Sequence, residues 1–89
     1  MENEIIELFK KVLEENDPFQ KFRHIEVLIT FIKVKYGIEV PFKKEYGGNI
    51  NTAKKLYVEG KYEDCVYELR KVKSDIMKEI GKLQNASKT

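Results

Sequence analysis

The sequence predicts a small all-α fold: a helical bundle of three long helices plus one short helix, with a C-terminal helical hairpin turning at Gly60. Three observations predict it. Tyr62, Cys65, Val66, Leu69, Val72, Ile76, Ile80 and Leu83 recur at helical spacing and form one apolar stripe over residues 61–83. Asp17-Pro18 is a sharp helix start, because Pro18 disfavours helix at the residue before it and suits the first position of a new one. A chain of 89 residues with 42% apolar content can bury one core but not two. Residues 1–84 are therefore expected to form a single helical domain and 85–89 a flexible tail.

The first helix is expected over 3–15. Ile5, Ile6, Leu8, Phe9, Val12 and Leu13 form one broad stripe, and Asn3 is the expected N-cap. The second covers 18–36. Asp17 is its cap, and Gln20 three residues on completes a capping box. Phe22, Ile25, Ile29, Ile32 and Tyr36 keep helical spacing, while Phe19, Val27, Leu28, Phe31 and Val34 put apolar groups on other faces. The β-branched content leaves a strand over 27–36 as the alternative. A helix apolar nearly all round belongs at the centre of a bundle or in an oligomer seam, here Val27, Phe31 and Val34.

Residues 37–49 read as a loop. Gly37 can end the second helix, Pro41 blocks a regular helix, and Gly47-Gly48 permits a sharp turn. Ile38, Val40 or Phe42 could tuck over the core from an extended run. A thirteen-residue connection is long for a small bundle, and long connections often carry function. A short helix capped by Asn51 or Thr52 follows to about Glu59, with Ala53, Leu56 and Tyr57 inward.

The stretch 53–66, AKKLYVEGKYEDCV, resembles a helical hairpin found in several families. It looks like the middle of a tetratricopeptide unit, with Gly60, Tyr62 and Cys65 standing where that motif has glycine, an aromatic and alanine. Domains of the microtubule-interacting-and-trafficking type and HEPN-type helical domains carry a similar pattern. The resemblance implies a hairpin: Gly60 allows the turn, Tyr62 packs over it, and a small residue lets two helices approach. It brings no nuclease residues, because neither Arg23 nor Arg70 is followed four to six residues later by the histidine that HEPN-type ribonucleases use.

Composition narrows the function classes. The single histidine, His24, rules out a histidine-rich metal site within one chain and reads as structural or surface. Cys65 lies on the apolar stripe and reads as a buried small hydrophobe; a lone cysteine also fits a reducing, cytoplasmic setting. Neither a signal peptide nor a membrane span is expected. Glu14-Glu15 and Glu63-Asp64 flank helix ends and read as solvated or dipole-compensating groups. Gly47-Gly48 lacks the Lys-Ser/Thr continuation of a phosphate loop. Neither catalytic residues, a metal nor a cofactor is expected. The Lys/Glu-rich, Ile-rich composition suits a heat-adapted organism.

Charge is graded along the chain. Residues 1–20 carry six acids against two lysines (−4), residues 21–60 eight bases against four acids (+4), and residues 61–89 seven against five (+2). Such a gradient favours a charged partner or helix–helix orientation. Two readings follow. The first is a non-enzymatic helical protein–protein interaction module, a small accessory subunit or a homodimer. The second is a nucleic-acid-associated accessory protein. Its surface would combine Lys33, Lys35, Tyr36, Phe42, Lys43, Lys44, Tyr46, Lys54 and Lys55, whose bases would neutralise phosphates and whose rings would stack on nucleobases.

Overall fold

The computed structural model describes residues 2–87, with side chains described for 4–85. Four helices follow one another: α1 (Glu2–Glu14), α2 (Pro18–Tyr36), α3 (Ile50–Val58) and α4 (Tyr62–Ser87). There is no strand among the described residues, so the alternative of a strand over 27–36 gives way to helix. The capping signal decides that segment. Asp17 accepts a hydrogen bond from the Gln20 backbone N–H at 3.3 Å, and Pro18 occupies the first turn. At the other end the Gly37 and Ile38 N–H groups both donate to the Lys33 carbonyl, closing the helix.

Three boundaries differ from expectation. α1 begins at Glu2, so Asn3 lies within the helix rather than at its cap. α3 is capped by Asn49, whose side chain accepts from Asn51 N–H at 2.8 Å and Thr52 N–H at 3.1 Å; Asn51 and Thr52 are donors, not caps. α4 runs on through Ser87, because Gln84-Asn85-Ala86 contains neither glycine nor proline to stop it. Of the expected tail 85–89, residues 85–87 are thus helical, and 88 and 89 lie outside the described residues.

The packing order is α1–α2–α4–α3 and back to α1, so α2 and α3 sit at opposite corners, as do α1 and α4. Directions follow from paired residues. Tyr36 stacks on Tyr62 while Glu26 pairs with Lys73, so α2 and α4 are antiparallel. The α3–α4 hairpin turns at Gly60, where Gly60 N–H donates to Tyr57 and Lys61 N–H to Leu56. Gly60 takes φ 78°, a left-handed conformation that a side chain would strain. α2 and α3 therefore run in the same direction.

The core is one cluster drawn from all four helices and the 37–49 segment. Ile5, Phe9 and Val12 come from α1, and Ile25, Leu28, Ile29 and Ile32 from α2. Ile50, Ala53 and Tyr57 come from α3, and Cys65, Val66, Leu69, Val72 and Ile76 from α4. Ile38 and Val40 are buried beside them, whereas Phe42 is not. Leu83, the last member of the predicted α4 stripe, is exposed, since α4 extends past its partners there.

The 37–49 segment is a strap laid along α4. Arg70 donates from one guanidinium nitrogen to the carbonyls of Val40 and Pro41, each at 2.7 Å. The Asp75 carboxylate accepts from Gly47 and Gly48 N–H at 3.0–3.1 Å, and Glu68 accepts from Asn49 N–H at 2.8 Å. The strap reaches α4 most closely at Gly48. A Cβ there would lie 2.4 Å from the Val72 nitrogen and 2.7 Å from the Glu68 carbonyl oxygen.

Two tests follow from this packing. Gly48→Ala should cost about 1–3 kcal/mol, since the clash is with backbone atoms that cannot move aside. Gly81→Ala, in helix α4 with nothing within 4 Å of the added carbon, should instead stabilise by about 0.5–1 kcal/mol. Urea midpoints of the two variants should therefore move in opposite directions.

Burial pushes the Cys65 thiol up from 9.0 to about 12, with the Glu68 charge adding to the effect. The folded state thus holds the neutral thiol more tightly than the unfolded chain does. The associated stability is complete below pH 9 and drains away as pH rises through about 12. At pH 10.5 the loss amounts to about 2 kcal/mol. Denaturant titrations at pH 7 and 10.5 should show wild type losing that much more stability than Cys65→Ala across the interval.

Candidate functional site

The nine residues of the predicted basic and aromatic surface do not form one surface. Tyr36 belongs to a ring cluster that closes one end of the bundle. Its ring stacks on Tyr62 at 3.7 Å between centroids and meets Tyr57 edge-on at 5.9 Å; Tyr57 in turn contacts Phe9. The Tyr36 and Tyr57 hydroxyls are 2.7 Å apart. Desolvation would raise the Tyr36 phenol, but hydrogen bonds to Tyr57 and Tyr62 and the nearby Lys35 charge outweigh it, and the net direction is down. Lys35 lies over the Tyr36 ring at 5.4 Å.

Lys54 and Lys55 sit on α3, at the corner opposite α2, and so are separated from Lys33 by the width of the bundle. Lys43 and Tyr46 are engaged with α4: Lys43 lies 5.8 Å from the Tyr67 ring centroid, and Lys78 lies 5.2 Å from that of Tyr46. Three residues do converge. Lys33, Phe42 and Lys44 line a groove of about 600 Å³ between α2, the strap and α4, joined by Arg70, Lys73 and Met77. Phe42 is 76% exposed there. Lys73 is fixed by an ion pair to Glu26 at 3.5 Å and by the Phe22 ring at 5.4 Å.

Sequence reasoning missed the α4 contribution. Arg70, Lys73 and Met77 recur at i, i+3 and i+7, a spacing that places them on one helix face. What it could not supply is that the strap crosses that face.

The three residues expected in an oligomer seam share one helix face, at i, i+4 and i+7. Val27, Phe31 and Val34 lie along the outer face of α2, 45%, 44% and 78% exposed. Beside them a second groove, of about 300 Å³, runs between α1 and α2 and is lined by Glu4, Ile5, Thr30, Phe31, Val34 and Lys35. A shallower one holds Arg23, Glu26 and Val27 with Thr30 and Phe31. Phe19, about two turns before Val27 on the same helix, is half-exposed too.

Chemistry-bearing side chains are engaged structurally. His24 is 3.5 Å from Glu15, which also accepts from the Asn16 N–H at 3.2 Å, tying the α1–α2 junction together. Cys65 is fully buried. Glu63 and Asp64 stand in the first turn of α4, where acids suit the helix dipole. Among the described residues no group of three His, Cys, Asp or Glu could hold a metal ion, and no helix is long and apolar enough to cross a membrane. Comparison with known proteins gives no match to any family model, to any curated protein or to any solved structure.

Proposed function

We propose that the chain is a non-enzymatic helical interaction module whose docking face is the outer side of α2, and that the face pairs with a second copy of the chain. The observation that carries this reading is the run Val27, Phe31 and Val34, an exposed apolar stripe on a helix whose core-facing stripe is Ile25, Leu28, Ile29 and Ile32. Side chains of this kind are normally covered when they form a contiguous stripe. The same stripe reads well in both directions. In an antiparallel two-fold pairing centred between Thr30 and Phe31, Val27 of one copy lies opposite Val34 of the other, and the Phe31 rings flank the axis. The residues lining the two flanking grooves include two bases, Arg23 and Lys35, and two acids, Glu4 and Glu26, so the rim does not repel its own kind.

Magnitudes set the strength of such pairing. Burying the exposed half of six such side chains yields about 4–9 kcal/mol, at about 1.5–3 kcal/mol for each whole side chain. Association costs about 4–15 kcal/mol. At the favourable end of both ranges the surplus is about 4–5 kcal/mol, so the pairing is weak, with a dissociation constant of roughly 0.2 to 1 mM.

Sedimentation equilibrium from about 10 µM to 0.5 mM tests this range. Wild type should move from monomer toward dimer, and Val34→Asp, a change at a position already 78% exposed, should stay monomeric with unchanged helicity. A wild-type chain that remains monomeric at the upper concentration would falsify self-pairing and leave the face to a helix of another protein.

A further inference from the structure

The groove between α2, the strap and α4 lies on the other side of α2 from the α1 groove and shares only Glu26 and Thr30 with the residues flanking the proposed pairing. We infer that it binds a nucleotide unit, with Phe42 stacking on the base and Lys33, Lys44 and Lys73 neutralising the phosphate. Four features carry this.

The first is charge. Lys33, Lys44, Arg70 and Lys73 line the groove against one acid, Glu26, giving a local +3 in a chain whose total is only +2. Glu26 is already paired with Lys73 at 3.5 Å. The second is an aromatic platform. Phe42 is 76% exposed, although the neighbouring strap residues Ile38 and Val40 are buried, so the core does not account for its ring. An accessible ring amid cations can stack on any nucleobase.

The third is preorganisation. The strap is pinned on either side of Phe42, by Arg70 at Val40 and Pro41 and by Asp75 at Gly47 and Gly48, so the ring stands on a fixed backbone. The fourth is size. A groove of about 600 Å³ falls in the range of roughly 300–1,000 Å³ typical of sites for small organic ligands. Ser74 and Met77 complete its wall with a hydroxyl and a thioether. An acidic peptide would satisfy the cations but would leave the ring without a role, which favours the nucleotide.

The base–phosphate unit can come as a free nucleotide or within a single strand, and the experiment separates the two. Fluorescence anisotropy of a labelled oligothymidylate of about eight nucleotides should show binding that weakens with salt, at about 0.7 log units per log unit of salt for each phosphate engaged. Phe42→Ala should weaken it about tenfold at an unchanged salt slope. Lys44→Ala should make the slope shallower by about 0.7. Lys55→Ala, on the far corner of the bundle, should change neither. Displacement of the oligonucleotide by adenosine monophosphate assigns the groove to free nucleotides, and its absence assigns it to a strand. The inference is overturned if nothing binds at about 50 mM salt, if poly-glutamate competes as well as unlabelled oligonucleotide, or if Phe42→Ala binds like wild type.

Discussion

Two helices running in the same direction cannot be joined by a short turn, and much of this molecule follows from that constraint. α2 and α3 are both antiparallel to α4, and they occupy opposite corners. The chain leaving Tyr36 must travel back along the bundle before α3 can begin at Ile50. It does so on the outside of α4, as a strap without helix or strand pairing of its own. Its backbone polar groups then need partners elsewhere. α4 supplies them: the Arg70 guanidinium to two carbonyls, the Asp75 carboxylate to two consecutive N–H groups, Glu68 to the N–H that begins the α3 cap. Bonds with one ionised partner are stronger than neutral ones, so a few suffice to hold thirteen residues. Helix α4 thus has an apolar stripe for the core and a polar rail for the strap.

The ring cluster answers the same constraint at the opposite end. Diagonal helices do not touch along their lengths, but Tyr36 and Tyr57 reach across the diagonal and share a hydroxyl contact. Phe9, Tyr36, Tyr57 and Tyr62 come one from each helix, so the cluster ties four chain segments that backbone packing joins only in neighbouring pairs. Aromatic pairs of this geometry contribute about 0.5–1.5 kcal/mol each beyond the area they bury, which matters in a domain with so small a core. Gly60 sits directly beside this cluster and sets the hairpin geometry that brings Tyr57 and Tyr62 together.

What could be read from the sequence divides along the same line. Asp17, Pro18 and Gln20 announced α2 because a cap is a contact between residues three apart, and Gly60 announced the hairpin for a similar reason. The α4 stripe was legible as far as Ile80, since core-facing residues repeat with the helix period. The strap contacts link residues 27 to 30 apart in the chain, and each partner alone looks like ordinary surface charge. Nothing in the spacing of Lys71, Asp75 and Lys78 distinguishes them from solvated charge, although Asp75 anchors two N–H groups and the lysines meet Glu45 and Tyr46. The same blindness explains the predicted basic surface. Tyr36 resembles a surface aromatic among lysines until the hairpin that covers it is in place, and Lys54 and Lys55 share a charge with Lys33 but not a face.

The exposed apolar stripe and the basic groove have one origin. α2 is apolar on nearly every face, yet only α1 and α4 pack against its length. Ile25, Leu28, Ile29 and Ile32 satisfy those two contacts, and a third face remains with Val27, Phe31 and Val34 on it. Because α3 stands at the opposite corner and the strap passes over α4, no segment of the described chain covers that face. The strap instead stops short of α2, leaving a channel between Phe42 and Lys33. Thr30 lines both features and marks the ridge between them. Moving the strap onto α2 would bury the stripe and close the channel together, so the route of a single connection determines how much surface this small bundle has available for partners.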